Sequence, residues 1–370
     1  MVKTQVPFRL QSEQFQISPD YVRISMAAAI ELRLKPGRLL RGCGCGCINL
    51  LQNYPEGCYA NCSYCGLARE RPGTPEDNTF IRVAWPLYPL DLVADKIAEK
   101  EAATGVGRVC IAQVQDPRAY DDLVEMTIRV RRAAKAVPIS ALVSATTLTE
   151  ERLHVIKEAG ADIIGVGLDA ASEAVFDSTR GRNARGPHRW DYHWHIVRAA
   201  RRIYGSLKVN CHIIVGLGET DKDLVNLFFQ LREEEIAGYL FSFNPEPGTV
   251  MQHLPRAPIQ RLRRIQLIKH LIENYDLPPE AVEFDAGGGI SRLAAPEIVI
   301  DGAVQEGSPF MTNGCPDRQG RVACNRPYGS YRPGEEFRDY PFQPDREDLV
   351  VIRKQMRLSE VWSRLAEAAN

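Results

Sequence analysis

The sequence predicts an α/β fold, a (β/α)8 TIM-type barrel, on three observations. Short apolar runs alternate with longer amphipathic stretches along most of the chain. The connections between them suit right-handed parallel crossovers. The run at 207–215 is apolar enough for a strand buried on both faces. An open doubly wound sheet is the competing topology. Residues 1–41 read as an N-terminal helical extension, with a helix over 20–35 stopped by Pro36-Gly37. Residues 42–305 read as the barrel. Its strands are expected at 48–51, 108–114, 139–144, 162–168, 207–215, 239–243 and 282–285, with an eighth at 310–312. Helices are expected near 120–136, from Thr149-Glu150 onward, in stretches up to Tyr204, and after Asp221 as a cap. Residues 306–370, rich in Pro, Gly and Arg, form a C-terminal auxiliary segment with a tail helix over 346–367.

Composition narrows the function classes. With 370 residues, 44% hydrophobic and 25% charged, the chain is neither disordered nor fibrous. Forty-six Lys and Arg against 47 Asp and Glu give a net charge of -1, which removes any whole-chain electrostatic case for nucleic acid or an anionic membrane. The start lacks a basic segment followed by an apolar run, and no stretch approaches the roughly 18 apolar residues of a spanning helix. The expected location is cytoplasmic.

Cysteine spacing carries the chemistry. Six of the ten cysteines, Cys43, Cys45, Cys47, Cys58, Cys62 and Cys65, lie between residues 43 and 65, and Cys315 and Cys324 form a looser second group. Such density without a secretion signal points to metal binding or catalysis before disulfides. Cys110 and Cys211 sit singly in apolar runs and read as small buried hydrophobes. Cys58-Tyr-Ala-Asn-Cys62-Ser-Tyr-Cys65 follows the first expected strand, so its three thiolates fall on a loop at the barrel mouth, where barrel chemistry resides. Three thiolates can hold three irons of a [4Fe–4S] cube and leave the fourth open. A zinc site completed by Cys43, Cys45 or Cys47 is the alternative.

This pattern resembles the radical S-adenosylmethionine (SAM) superfamily, whose signature is C-x3-C-x2-C with an aromatic residue, here Tyr64, before the third cysteine. Other segments over about 45–300 match in order. Gly167-Leu168-Asp169 resembles a strand end whose acid contacts the SAM ribose. Arg180 resembles the residue that pairs with the SAM carboxylate. The stretch from Asn210 to Thr220, with Val215, Gly216 and Gly218, resembles the adenine-contacting strand and turn. The implied cofactors are a [4Fe–4S] cluster and SAM, which together generate a 5′-deoxyadenosyl radical. The Val215-to-Thr220 turn and Pro245-Glu-Pro-Gly-Thr249 are similar to biotin synthase-like members. Biotin synthase's second cluster is not implied, because only Cys110 matches its ligands, while Leu142, Asn210 and Gly288 occupy the other positions.

The cysteines outside the core, in Gly42-Cys-Gly-Cys-Gly-Cys47 and Cys315-to-Cys324-Asn-Arg-Pro-Tyr, resemble lipoyl synthases, most of all one subunit of the split, two-protein kind. The stretch Gly329 to Arg332 faintly echoes their C-terminal serine ligand. The resemblance implies a second, auxiliary [4Fe–4S] cluster held by three or four of Cys43, Cys45, Cys47, Cys315 and Cys324, meeting near the barrel mouth. It further implies sulfur insertion into an octanoyl chain on a lipoyl carrier protein, a paralogous partner subunit, and a ferredoxin- or flavodoxin-type electron donor. The alternatives are a biotin synthase-like mutase or maturase, such as a methylornithine synthase or hydrogenase maturase, and a metal-binding scaffold without turnover. His193 and His195, two apart, point to different sides of a helix and share no metal. Arg198, Arg201 and Arg202 read as solvated surface or an acidic-carrier contact, and Gly287 to Gly289 as a tight turn or a cofactor cradle.

Overall fold

Parallel strands bury both faces, so their residues are small or branched and their ends, not their middles, are free to carry chemistry. The computed structural model describes residues 16–74, 79–329 and 334–364. In chain order its elements are β1 (Tyr21–Ile24), α1 (Met26–Glu31), β2 (Cys47–Leu51), β3 (Leu87–Pro89), α2 (Leu90–Ala103), β4 (Arg108–Ala112), α3 (Ala119–Ala133), β5 (Ile139–Val143), α4 (Glu150–Glu158), β6 (Ile163–Asp169), α5 (Glu173–Thr179) and α6 (Trp190–Tyr204). There follow β7 (Val209–Val215), α7 (Asp221–Glu233), β8 (Ala237–Ser242), α8 (Ile259–Asn274), β9 (Val282–Phe284), β10 (Ile290–Ala295), α9 (Glu297–Glu306), α10 (Arg346–Met356) and β11 (Trp362–Arg364).

Strands β2, β4, β5, β6, β7 and β8 are successive parallel neighbours. Beyond β2 the sheet is extended by β1 and β3, both antiparallel, to eight strands. The α/β, TIM-type arrangement is present, with six consecutive β/α units rather than eight. The run at 282–285 leaves the sheet because Asp285 closes a tight turn, accepting from Gly287 N at 2.8 Å and Gly289 N at 2.9 Å. The chain reverses there into β10, and β9, β10 and β11 make a separate small sheet. The run at 310–312 is not a strand: Ser308–Phe310 is a 3-10 turn, and Met311 makes an isolated bridge to Tyr340.

Other boundaries also differ. The segment expected as a helix over 20–35 begins as β1 and holds only the six-residue α1, capped by Ser25. Helix α7 is capped by Thr220 in a reciprocal box with Asp223, and Asp221 is its first residue, tied to Arg261. Helix α10 stops at Met356, since Arg357 adopts φ +45°, and the chain turns into β11. Among the described residues no helix is long and apolar enough to cross a membrane.

Alternation along the strands sorts the interior. Ile48, Leu50, Val109, Ile111, Val209, Cys211 and Ile213 are fully buried in the main core beneath the helices. The alternate positions, Cys47, Asn49 and Leu51 on β2, Arg108, Cys110 and Ala112 on β4, and Asn210, His212 and Ile214 on β7, share the other face, inside the barrel. The C-terminal segment closes the end of the barrel from which the strands start. Arg108, 2% exposed, donates to Pro316 O at 2.7 Å and pairs with Asp162. Asn325 donates to Gly44 O and accepts from Gly46 N, each at 3.2 Å. A side chain at Gly46 would place its Cβ 2.6 Å from Ala323 O, so only glycine admits this approach.

Candidate functional site

The loop after β2 is ordered by its neighbours on the mouth side. Ser63 N donates to Thr179 O at 2.7 Å, Met251 N to Ser63 O at 3.0 Å, and Asn61 Nδ2 to Ala184 O at 2.9 Å. These contacts bring Cys58, Cys62 and Cys65 to one wall of a shared cavity. Two of the sulfurs accept backbone N–H groups, Cys58 from Gln115 at 3.3 Å and Cys65 from Leu67 at 3.4 Å. Burial pushes all three thiols up, Cys62 to about 12, so the thiolate form needs a compensating positive centre. Three buried sulfurs, two already receiving N–H groups, are a donor set that fits an iron–sulfur cluster with one open iron.

Beside them stands a charged triad. A register shift at the end of β6 and φ +63° at Asp169 aim its carboxylate into the mouth. That carboxylate accepts from Tyr64 OH at 2.5 Å and from Arg180 at 2.5 Å. Arg180, 6% exposed, also donates to Gly167 O, and its Nε has no hydrogen-bond partner. Tyr64, Asp169 and Arg180 all line the cavity, so an orphaned donor and a carboxylate face the same space as the thiols. Gly216 (φ +111°) and Gly218 (φ +119°) form the turn after β7, and Glu219 accepts from the amides of Gly216 and Leu217, each at 2.8 Å. Val215, Gly216 and Gly218 do not line this cavity, whereas Ile214 and Phe243 do.

The cavity, about 240 Å³, is mostly apolar, with Leu51, Val114, Leu142, Ile214 and Phe241 among its walls. Sequence reasoning gave no role to three of its polar residues. His212 projects inward from β7, and burial first, then Arg326 and Arg180, lowers its pKa to about 3, so it is neutral. His188 is 2% exposed and likewise pushed down by burial, with an unpartnered Nδ1. Glu246, within the quoted Pro245-to-Thr249 segment, accepts from Thr79 and, at 2.6 Å, from Arg82 N. The inward parity of His212 was a usable signal; the approach of His188 depends on the fold around Arg180.

The second cysteine group also comes together, but at the strands' N-terminal ends, the floor of the barrel, and not at its mouth. The cause is the tail, which docks beside the first residues of β2 and β4. Asn49 Nδ2 lies 3.6 Å from Cys47 Sγ and 3.8 Å from Cys324 Sγ, and Asn210 Nδ2 lies 3.6 Å from Cys315 Sγ. Contact between the buried Cys47 and Cys324 thiols raises the pKa of Cys47 and lowers that of Cys324. Cys45 is buried with its thiol donating to Cys47 O at 3.2 Å, while Cys43 is half-buried. Ser330 to Arg332 lie outside the described residues. No three Cys, His, Asp or Glu among the described residues are arranged to hold a single metal ion.

The remaining candidates take ordinary places. The side chain of His193 is buried and that of His195 is exposed. Arg198, Arg201 and Arg202 pair with Glu234, Glu235 and Glu150. Gly287 to Gly289 form the tight turn at Asp285 and do not line the cavity.

Comparison with known proteins agrees with this geometry. The family profile described as the radical SAM superfamily matches residues 53–231, which include the three mouth cysteines, Asp169, Arg180 and the Gly216-to-Glu219 turn. Biotin synthase of Persephonella marina (strain DSM 14350 / EX-H1) is 26% identical over 214 residues, covering 57% of this chain and 59% of its own. Biotin synthase of Gloeothece citriformis (strain PCC 7424) is 24% identical over 253 residues, covering 66% and 63%. The matched region thus spans less than two thirds of these curated relatives. The crystal structure of methylornithine synthase is 14% identical, covers 91% of this chain and 87% of its own, and has a TM-score of 0.48. The profile match, the biotin synthase relatives and the ordered mouth residues together support a biotin synthase-like member of the radical SAM superfamily.

Proposed function

We propose that the chain is a sulfur-insertion enzyme of the lipoyl synthase type, one subunit of a two-protein system, acting on an octanoyl chain carried by a lipoyl carrier protein. The observation that carries this reading is a second group of buried cysteines, Cys47, Cys315 and Cys324, at the opposite end of the barrel from Cys58, Cys62 and Cys65. A mostly apolar cavity opens between the strands on the mouth side and suits an acyl chain.

Cys58, Cys62 and Cys65 would hold the SAM-binding [4Fe–4S] cluster, and the floor cysteines an auxiliary one. Loaded with SAM and given one electron per C–S bond, the first would supply a 5′-deoxyadenosyl radical able to take a substrate hydrogen as 5′-deoxyadenosine, and the second would supply both the sulfide and iron to accept the electron released when the carbon radical joins it. The chain's own residues orient and exclude water. Arg180, with a spare Nε, offers a charge-assisted donor to the SAM carboxylate, and Asp169 an acceptor to its ribose hydroxyls. Leu51, Val114, Leu142 and Phe241 keep the space between dry, so that a carbon radical meets no water. The reading includes a paralogous subunit for the other C–S bond and a ferredoxin- or flavodoxin-type donor.

The test is anaerobic turnover with SAM, a reductant and an octanoylated carrier, for the native chain and the Cys315→Ala/Cys324→Ala double variant. The native chain should yield 5′-deoxyadenosine and a C–S bond, and the variant only 5′-deoxyadenosine. Deoxyadenosine without sulfur insertion by the native chain would replace this reading with the mutase or maturase one. No deoxyadenosine at all would leave a scaffold without turnover.

A further inference from the structure

Cys110 has the chemistry of its neighbours but no role in anything described so far. It sits on β4 opposite Asn49 of β2 and Ser140 of β5. Cys47 pairs with Arg108 on the same ladder, so Cys47 and Cys110 lie two positions apart on adjacent strands, on the same inward face. Cys324 is within reach of Asn49, the cross-strand partner of Cys110. Cys315 packs with Ile163 and Tyr239 and faces Asn210, so it completes the ring from the β6–β8 side.

Two further facts mark a space built for something. Asn210 is 1% exposed, and its Oδ1 has no hydrogen-bond partner although its Nδ2 is directed at Cys315. Cys110, Asn49 and His212 face the barrel interior and remain partly accessible, His212 at the cavity that opens at the mouth.

We propose that Cys47, Cys110, Cys315 and Cys324 are the four protein ligands of a second iron–sulfur cluster in the barrel floor, with Cys43 and Cys45 outside the set. Cys45 also lies near Cys324, but its thiol is turned to the Cys47 carbonyl, and Cys43 is half-buried beyond it near Glu31. Their role is instead in the glycine-spaced segment before β2 that receives the tail. This ligand set rests on the reading that a second cluster is present, but not on sulfur insertion.

The experiment uses the full chain carrying Cys58→Ala, Cys62→Ala and Cys65→Ala, so that any iron belongs to the floor. After anaerobic reconstitution, iron and sulfide are counted, and EPR spectra are recorded before and after brief oxidation. This parent should hold about four irons and resist conversion, because four thiolates leave no labile iron. Adding Cys110→Ala should either remove the cluster or yield the three-iron EPR signal on oxidation. Adding Cys43→Ala and Cys45→Ala instead should leave iron and spectra as in the parent. Identical spectra with and without Cys110→Ala, at full iron, would overturn the role of Cys110. Loss of iron on replacing Cys43 and Cys45 would overturn their exclusion. No iron in the parent, in a chain whose circular dichroism matches the native protein, would instead overturn the second-cluster reading itself.

Discussion

At the scale of single residues, the mouth shows how one carboxylate serves two neighbours. Asp169 holds both Tyr64 and Arg180 at 2.5 Å, and the positive φ that aims it is one that aspartate tolerates better than most residues. Arg180 is buried against Phe176, its guanidinium 5.3 Å from the ring centre, so it is fixed in place before any ligand arrives. Pre-ordering of that kind converts charge-assisted contacts into affinity. Arg180→Ala and Asp169→Asn should therefore weaken SAM binding by roughly ten- to a hundredfold, the equivalent of about 1.5 to 3 kcal/mol, without loss of iron. Anaerobic equilibrium binding with iron counted in parallel checks this. Unchanged affinity in both variants would remove these residues from the cofactor site. The same scale explains what was legible. Cys58, Cys62 and Cys65 are readable because their spacing is local, set within eight residues of loop. The sequence reads Cys110 and Cys211 alike as small buried hydrophobes, because parity along a strand does not say which face is the interior, and the structure turns Cys110 inward. Cys211, one face over from Asn210, does pack in the outer core as a small hydrophobe.

At the scale of elements, the parallel strands are legible within a residue or two and β9 within one, whereas β1 and β3 are not. Strands β1 and β3 have four and three residues, too few for a period-two pattern, and their pairing with β2 is set entirely by tertiary contact. The same holds for the meeting of the Gly42-to-Cys47 segment with the tail, about 280 residues away in sequence. Backbone closeness is the device there. Gly46 and Gly107 both approach Ala323, and a Cβ on Gly107 would lie 2.7 Å from Gly46 O. Gly46→Ala must push Ala323 away by several tenths of an ångström, at a cost of about 1–3 kcal/mol for overpacking against backbone. Most of that strain should fall on the tail, because Ala323 follows an exposed turn at 318–322 whereas Gly46 leads directly into β2 of the sheet. Trypsin cleavage at Arg318 or Arg321 should accelerate in Gly46→Ala while the barrel remains resistant. Equal cleavage rates in native and variant chains would mean that the tail is not seated by this contact.

At the scale of the whole molecule, the tail looked from its composition like an appendage, and the contacts make it part of the barrel's closure. Arg263 of α8 has no exposed surface. Its guanidinium donates to Phe337 O at 2.5 Å, Arg338 O at 2.8 Å and Gln355 Oε1 at 2.8 Å, all beyond residue 305. Gln266 of the same helix donates to Arg338 O and Asp339, and Arg108 at the barrel floor donates to Pro316 O. A chain ending at residue 305 would keep Arg263 and Gln266 in place without these acceptors, and would open the apolar surface under Phe310, Tyr340 and Ile352 to water. Leaving one buried charge unpaired costs about 3–5 kcal/mol. Each large apolar side chain of the barrel that loses this cover adds about 1.5–3 kcal/mol. Those losses are comparable to the roughly 5–15 kcal/mol that holds a typical protein folded. The truncated chain should therefore be insoluble or lack a cooperative thermal transition, whereas the full chain should unfold in a single transition by circular dichroism. A soluble 1–305 fragment with native-like helical signal and a sharp melt would show that the tail is a separable module docked on a self-sufficient barrel.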